Sequence, residues 1–183
     1  MKNAACVIVS VLCLSACNKG PDIHATNASV QEVATKVRAA AATETLIRPG
    51  EWQSDTTVTE MSMPGLPPQV QANMKKVMSS RQTHSFTSCV TEADVKRPKE
   101  DFFAGKNNQC RYDHFTMSGG KVDATMHCTS EGRDTTMKLD GRYSAENYQL
   151  NVEMSSNGGP EGAMSLKSHT VSHRIGECTA KDS

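Results

Sequence analysis

Apolar and polar side chains alternate along most of the chain beyond residue 81, which is the period of strands with one buried face. Runs near 82–89, 110–117, 121–128, 133–143, 148–155 and 163–175 read as strands. Their connections are short and rich in turn residues: Ser118-Gly119-Gly120, residues 144–147, and Asn157-Gly158-Gly159-Pro160. Consecutive strands are therefore expected to pair antiparallel, as a meander. Upstream, Arg48-Pro49-Gly50 marks a turn, and residues 51–61 read as a threonine-rich strand with Trp52 near its start. Two stretches break the alternation. Val70, Met74, Val77 and Met78 fall on one face of a short helix after Met63-Pro64-Gly65-Leu66-Pro67-Pro68, where prolines suit a first helical turn. Thr91-Glu92-Ala93-Asp94 has the look of a second helix start, followed by a charged loop to Gln109 that holds Phe102 and Phe103.

The N-terminal segment follows another pattern. Lys2 precedes an uncharged apolar run from Ala4 to Leu14, too short for a bilayer-spanning helix of about 20 residues and suited to a cleaved export signal. The run ends at Leu14-Ser15-Ala16-Cys17, which resembles the lipobox of bacterial lipoproteins. That resemblance implies cleavage before Cys17, lipidation of its sulfur and acylation of its amine. Three acyl chains would anchor the protein in effect irreversibly. Asn18, not aspartate, follows the cysteine; by the sorting rule of enteric bacteria the final address is the outer membrane, with the protein facing the periplasm. The expected division is a signal peptide over 1–16, a lipidated N-terminus and tether over 17–47, and one β domain over 48–180. Val30, Val33, Val37 and Ala40 or Ala41 recur at helical spacing inside the tether. Both a semi-ordered spacer and a helix docked on the domain fit that thin stripe, with the spacer preferred.

Charge narrows the partners. The precursor has 20 basic and 20 acidic side chains, and losing Lys2 with the leader leaves one basic fewer. The clusters Lys75-Lys76 and Lys96-Arg97 with Lys99 are short and have acidic neighbours, so no nucleic-acid partner is expected. The expected partners are the membrane, through the anchor, and a small apolar ligand or another envelope protein.

Of seven cysteines, Cys6 and Cys13 leave with the leader and Cys17 carries lipid, so Cys89, Cys110, Cys128 and Cys178 remain. In an oxidising compartment that set predicts disulfides. A hairpin turning at Gly119 puts Cys110 opposite Cys128, Tyr112 opposite Met126, His114 opposite Ala124 and Thr116 opposite Val122. Cys110 is thus expected to bond Cys128, leaving Cys89 for Cys178.

Chemistry-bearing motifs are sparse. No Gly-x-Ser-x-Gly, His-Glu-x-x-His or phosphate-cradling glycine loop is present in the sequence, although a triad can assemble in space without a local signature. His169 and His173 could share an ion on a helix, but in a strand they stand about 13 Å apart. No cofactor and no metal is expected. Met61-Ser62-Met63 is similar to thioether pairs of copper handlers, yet methionine more commonly fills cores or lines adaptable apolar surfaces.

The markers Arg48-Pro49-Gly50-Glu51-Trp52, Met61-Ser62-Met63-Pro64-Gly65-Leu66-Pro67-Pro68, Cys89-Val90-Thr91 with Asp94, Cys110, Cys128, Gly141-Arg142-Tyr143 and Arg174-Ile175-Gly176-Glu177-Cys178 resemble the uncharacterised proteobacterial family called domain of unknown function 3617. The resemblance spans about Arg48 to Cys178 and implies export, but no activity and no catalytic residues. Ala145-Glu146-Asn147-Tyr148 stands where the family pattern has a glycine-acid-x-tyrosine turn. The resulting expectation is mainly all-β: an antiparallel meander of about seven or eight strands, a curved sheet or open lipocalin-like barrel, with one or two short helices. The function expected is noncatalytic, either binding a small apolar or lipid-like ligand near Met61, Met63, Leu66, Val70 and Met74, or docking as an accessory subunit. An unrecognised hydrolase is the third reading and requires a buried serine or cysteine beside one of His84, His114, His127, His169 and His173.

Overall fold

A computed structural model describes residues 20–80, 83–96, 109–130, 132–158 and 162–179. In chain order its elements are β1 (Ile23–Ser29), α1 (Val30–Ala41), β2 (Gly50–Ser62), α2 (Pro68–Ser80), β3 (Thr83–Val90), α3 (Glu92–Lys96), β4 (Cys110–Ser118), β5 (Lys121–Ser130), β6 (Arg133–Tyr143), β7 (Asn147–Gly158) and β8 (Met164–Gly176). The strands form one antiparallel sheet in the order β1-β4-β5-β6-β7-β8-β2-β3, with β1 and β3 as its edges. The fold is thus mainly β and antiparallel, in the open form. β4 to β8 make the meander; β8 then pairs with β2, which carries β3 on its other side.

The β4–β5 hairpin shows how burial corrects register. Ser118 pairs with Lys121 across a two-residue turn in which Gly119 and Gly120 both have positive φ, a conformation that costs glycine little. The expected three-residue turn would have set His114 against Ala124 and Thr116 against Val122. Instead the register shifts between Tyr112 and His114, so that Phe115 faces Ala124 and Met117 faces Val122. A single slip exchanges the two faces of a strand. Here it sends Phe115 and Met117 inward and leaves Thr116 on the polar side, while Cys110 still meets Cys128 and Tyr112 still meets Met126.

The stretch expected as a spacer is built into the fold. β1 pairs with β4, setting Ile23, Ala25 and Ala28 beside Met117, Phe115 and Tyr112. Ser29 caps α1, its side chain accepting from the Glu32 N–H, and the first helical turn carries that acid as the helix dipole favours. Val33, Val37 and Ala41 are buried against Ile23, Ala25, Tyr112, Phe115, Val122, Ala124 and Met126. Hydrogen bonding and burial decide what the thin stripe alone left open: the helix is docked, and a strand precedes it. Sequence pattern missed β1 because Ile23, Ala25 and Ala28 are small or irregularly spaced, with Asn27 at positive φ between them.

α2 and α3 match their signals. Gln71 donates to the carbonyls of Pro64 and Leu66, holding the preceding turn to the helix. Thr91 Oγ1 accepts from the Asp94 N–H while the Asp94 carboxylate accepts from the Thr91 N–H, a reciprocal cap. At Gly141 in β6 any side chain would run into the Gln149 carbonyl and Leu150 of β7.

Candidate functional site

Direct cross-strand partners share a face, so register separates the two surfaces of the sheet. One face carries Val122, Ala124 and Met126 of β5, Leu139 and Met137 of β6, Leu150, Val152 and Met154 of β7, Ser168, Leu166 and Met164 of β8, and Val58 and Met61 of β2. The buried cluster under α1 extends only as far as Leu139 and Leu150. Beyond it, Val58, Met61, Val152, Met154, Met164 and Leu166 are half-buried. This strip has a polar end. Thr56 and Thr170 bond each other through their hydroxyls at 2.9 Å, and Ser168 lies between Val58 and Val152. Beneath the polar end, Trp52 stacks on Tyr148 with ring centroids 5.7 Å apart, and the buried hydroxyls of Ser54 and Ser172 bond at 2.8 Å.

The opposite face is polar and holds a groove of about 370 Å³ running across β5 to β8. One wall is the row Asp123, Asp140, Asn151 and His169; the other is Thr125, Lys138, Glu153 and Lys167; Ala124, Leu139, Val152 and Ser168 form the floor. Asp123 and Asp140 lie directly opposite one another, a repulsive pairing. Each has a compensating partner: His114 Nε2 at 2.5 Å from Asp123, and Asn151 Nδ2 donating to Asp140 at 2.8 Å. The Asn151 oxygen then accepts from His169 Nδ1 at 2.7 Å, so a polar chain crosses three strands. In the second wall Lys167 is held by Glu60 at 3.1 Å and Glu153 at 4.0 Å; the bond from Glu60, then the Glu60 and Glu153 charges, raises the Lys167 pKa. These rows are ladders of cross-strand pairs. No helical or turn motif announces them in the sequence, because only register brings the members together.

Most of the family-like markers meet at one end of the sheet. Trp52 Nε1 donates to the Arg48 carbonyl at 3.1 Å, Arg174 Nε donates to the Pro49 carbonyl at 2.7 Å, and Arg174 also pairs with Glu177. Arg48 pairs with Glu146 at 2.8 Å, reaching into the turn after β6. Disulfides join Cys89 to Cys178 and Cys110 to Cys128, as the sequence predicts. Apart from the Cys110–Cys128 bond, which closes the β4–β5 hairpin at the opposite end from its Ser118–Lys121 turn, these residues form a clasp between the two ends of the family-like segment.

Among the remaining sequence-selected positions, Met61 lies on the apolar face opposite Leu166, while Met63 and Leu66 are half-buried in the turn before α2. On α2, Met74 is half-buried and Val70 is 42% exposed. Met61 thus belongs to the strip, and the other four follow it in the turn and helix that leave the far end of β2. Val58, Val152, Met154, Met164 and Leu166 were missed as site residues, although alternation in β7 and β8 carries their signal. Cys17 and the leader lie outside the described residues. His84, His127 and His173 are exposed, and His114 and His169 half-buried. Among the described residues His114 pairs with Asp123, His169 with the Asn151 amide, and His127 with Asp113 and with the Thr136 hydroxyl, which sits 3.0 Å from His127 Nδ1. Among the described residues no trio of His, Cys, Asp or Glu is grouped as for a metal ion, and no helix is long and apolar enough to cross a membrane.

A family model described as "Protein of unknown function (DUF3617)" matches residues 47–178, from the turn before β2 to the last disulfide cysteine. No curated protein and no solved structure matches the chain. With most of its length inside that match, from the Arg48 end of the clasp to Cys178, the chain belongs to the DUF3617 family.

Proposed function

We propose that the protein is a lipoprotein of the cell envelope, anchored through Cys17 on the periplasmic side of the outer membrane, whose apolar strip binds a small lipid-like molecule. The observation that carries this reading is the half-buried run of Val58, Met61, Val152, Met154, Met164 and Leu166 outside the α1-covered core. Between Met164 and Thr170 the strip is about 20 Å long, somewhat more than one leaflet's half of the roughly 30 Å hydrocarbon core. Three of the six lining side chains are methionines, which adapt to apolar ligands of varied shape. The hydroxyls of Thr56, Thr170 and Ser168 at one end suit a polar head. In tests, a soluble form whose residues 1–17 are replaced by a cleavable, non-lipidating export signal, purified without detergent, should show, by native mass spectrometry, a noncovalent amphiphile released on collisional heating. A protein found reproducibly at its bare mass, with both disulfides formed, contradicts the reading.

A second reading, docking on another envelope protein, is favoured by β3. This edge strand is paired on one side only, its residues Thr83 to Ser88 are exposed, and it contains no Lys, Arg, Asp or Glu to discourage pairing with a further strand. Crosslinking from Phe86 in cells should then capture a defined partner. Recovery of nothing above background removes the support.

A further inference from the structure

Gly20 is the first described residue, and a Cβ placed there would lie 3.7 Å from the Tyr143 hydroxyl and 3.9 Å from the Gly120 nitrogen. Only two residues separate Gly20 from Cys17. Three Cα steps span at most about 11 Å, so whatever holds Cys17 also holds this end of the sheet close by. The register defines that end: Ile23 with Met117, the Ser118–Lys121 turn, Arg142 beside Lys121, the turn between Tyr143 and Asn147, and Gly50 with Val90. The strip's methionine end and α2 lie at the opposite end, roughly 35 Å away by the length of β7.

Lys121 and Arg142 are directly opposite on neighbouring strands, both exposed. Like charges so placed repel. Among the described residues neither makes an ion pair, while two acids of the same end are engaged elsewhere, Asp22 with His24 and Glu146 with Arg48. The pair lacks its anion, and the short tether says what surface lies within reach.

Taking the lipoprotein reading as its premise, we propose that the protein stands on its own bilayer, with Lys121 and Arg142 seated on anionic lipid headgroups and the methionine end of the strip directed away from that membrane. A Lys or Arg near an anionic surface contributes about fivefold in partitioning, which for two such groups is enough to bias the orientation of a tethered domain. An amphiphile reaching the strip would then come from the aqueous side or from a facing membrane.

The test uses the full lipidated protein in vesicles containing phosphatidylglycerol and a headgroup-linked nitroxide. A fluorescent amino acid is placed at Gln149 or at Asn157, both exposed and on one face of β7, about 26 Å apart. Severalfold stronger quenching at position 149 is expected. Neutralising the pair, Lys121→Gln with Arg142→Gln, should reduce that difference severalfold in anionic vesicles, with the circular dichroism spectrum and the acyl mass unchanged. Replacing phosphatidylglycerol by a zwitterionic lipid should do the same without any substitution. Equal quenching at the two positions, stronger quenching at 157, or indifference to both changes overturns the inference. An intact mass lacking acyl chains on Cys17 instead overturns the lipoprotein premise, and is read separately.

Discussion

Cys89 and Cys178 stand 89 positions apart in the chain, yet their Cα atoms are 5.4 Å apart in the fold. They lie on the two sides of β2, since Glu51 faces Cys89 in β3 and Gly176 in β8. The bond therefore straps the edge strand to the C-terminus across the strand between them. Closing so long a loop contributes about 4–5 kcal/mol on the chain-entropy account, against about 3 kcal/mol for Cys110 and Cys128. Denaturant unfolding of Cys89→Ala with Cys178→Ala should show a loss near the larger value, and hydrogen exchange should be fastest in β3. A smaller loss than in the Cys110→Ala with Cys128→Ala protein contradicts this order.

α1 contributes to the main core, although it lies ahead of the segment that the family model matches. Truncating a fully buried valine removes two methyl groups from contact and leaves a partial cavity. Val37→Ala should therefore cost about 2 kcal/mol in global unfolding. Under a spacer role for residues 18–47 the same substitution would leave the unfolding midpoint unchanged.

The Tyr143 hydroxyl is buried with no hydrogen-bond partner among the described residues. Burial, and secondarily Glu44, raises its pKa. An unsatisfied buried hydroxyl costs about 1–3 kcal/mol, so Tyr143→Phe should raise stability by about 1 kcal/mol. A loss of comparable size on thermal or denaturant unfolding would mean that the hydroxyl is satisfied in solution.

Tyr112, in the buried cluster under α1, has its phenol pKa pushed by desolvation from 10.0 up to about 12. The unfolded chain thus ionises at lower pH than the folded one. The stability tied to the neutral phenol is complete below pH 10 and declines as the pH rises toward 12. Unfolding midpoints measured from pH 8 upward should fall above pH 10, and Tyr112→Phe should flatten the fall. An equal slope in both proteins would place the cause elsewhere.

Much of the fold was legible because its causes are local. The prolines and the spacing of Val70 and Met74 specify α2, Thr91 and Asp94 specify α3, and the alternation through β4 to β8 specifies strands whose turns leave few pairings. The disulfides followed from facing Cys110 with Cys128. What local pattern could not carry was β1, whose small side chains give almost no periodic signal, and the bulge at Asp113, which only the demand to bury Phe115 and Met117 dictates. The return of β8 to β2 depends on contacts more than 100 residues apart, such as Ser54 with Ser172. The candidate site was legible in one corner only. Met61, Met63, Leu66, Val70 and Met74 stood out by composition, whereas Val58, Val152, Met154 and Leu166 become one surface only through register.

The most direct test of the strip is a charge placed in its middle. Met154 lies between Met137 and Leu166, and a lysine there would meet a bound acyl chain while its stem still covers the sheet. In a soluble form whose residues 1–17 are replaced by a cleavable, non-lipidating export signal, binding of a fluorescent fatty acid should weaken at least about tenfold on Met154→Lys, because desolvating an ammonium costs more than 1.4 kcal/mol, with the unfolding midpoint nearly unchanged. Undiminished binding by the folded variant, or no binding by its parent, would contradict the account.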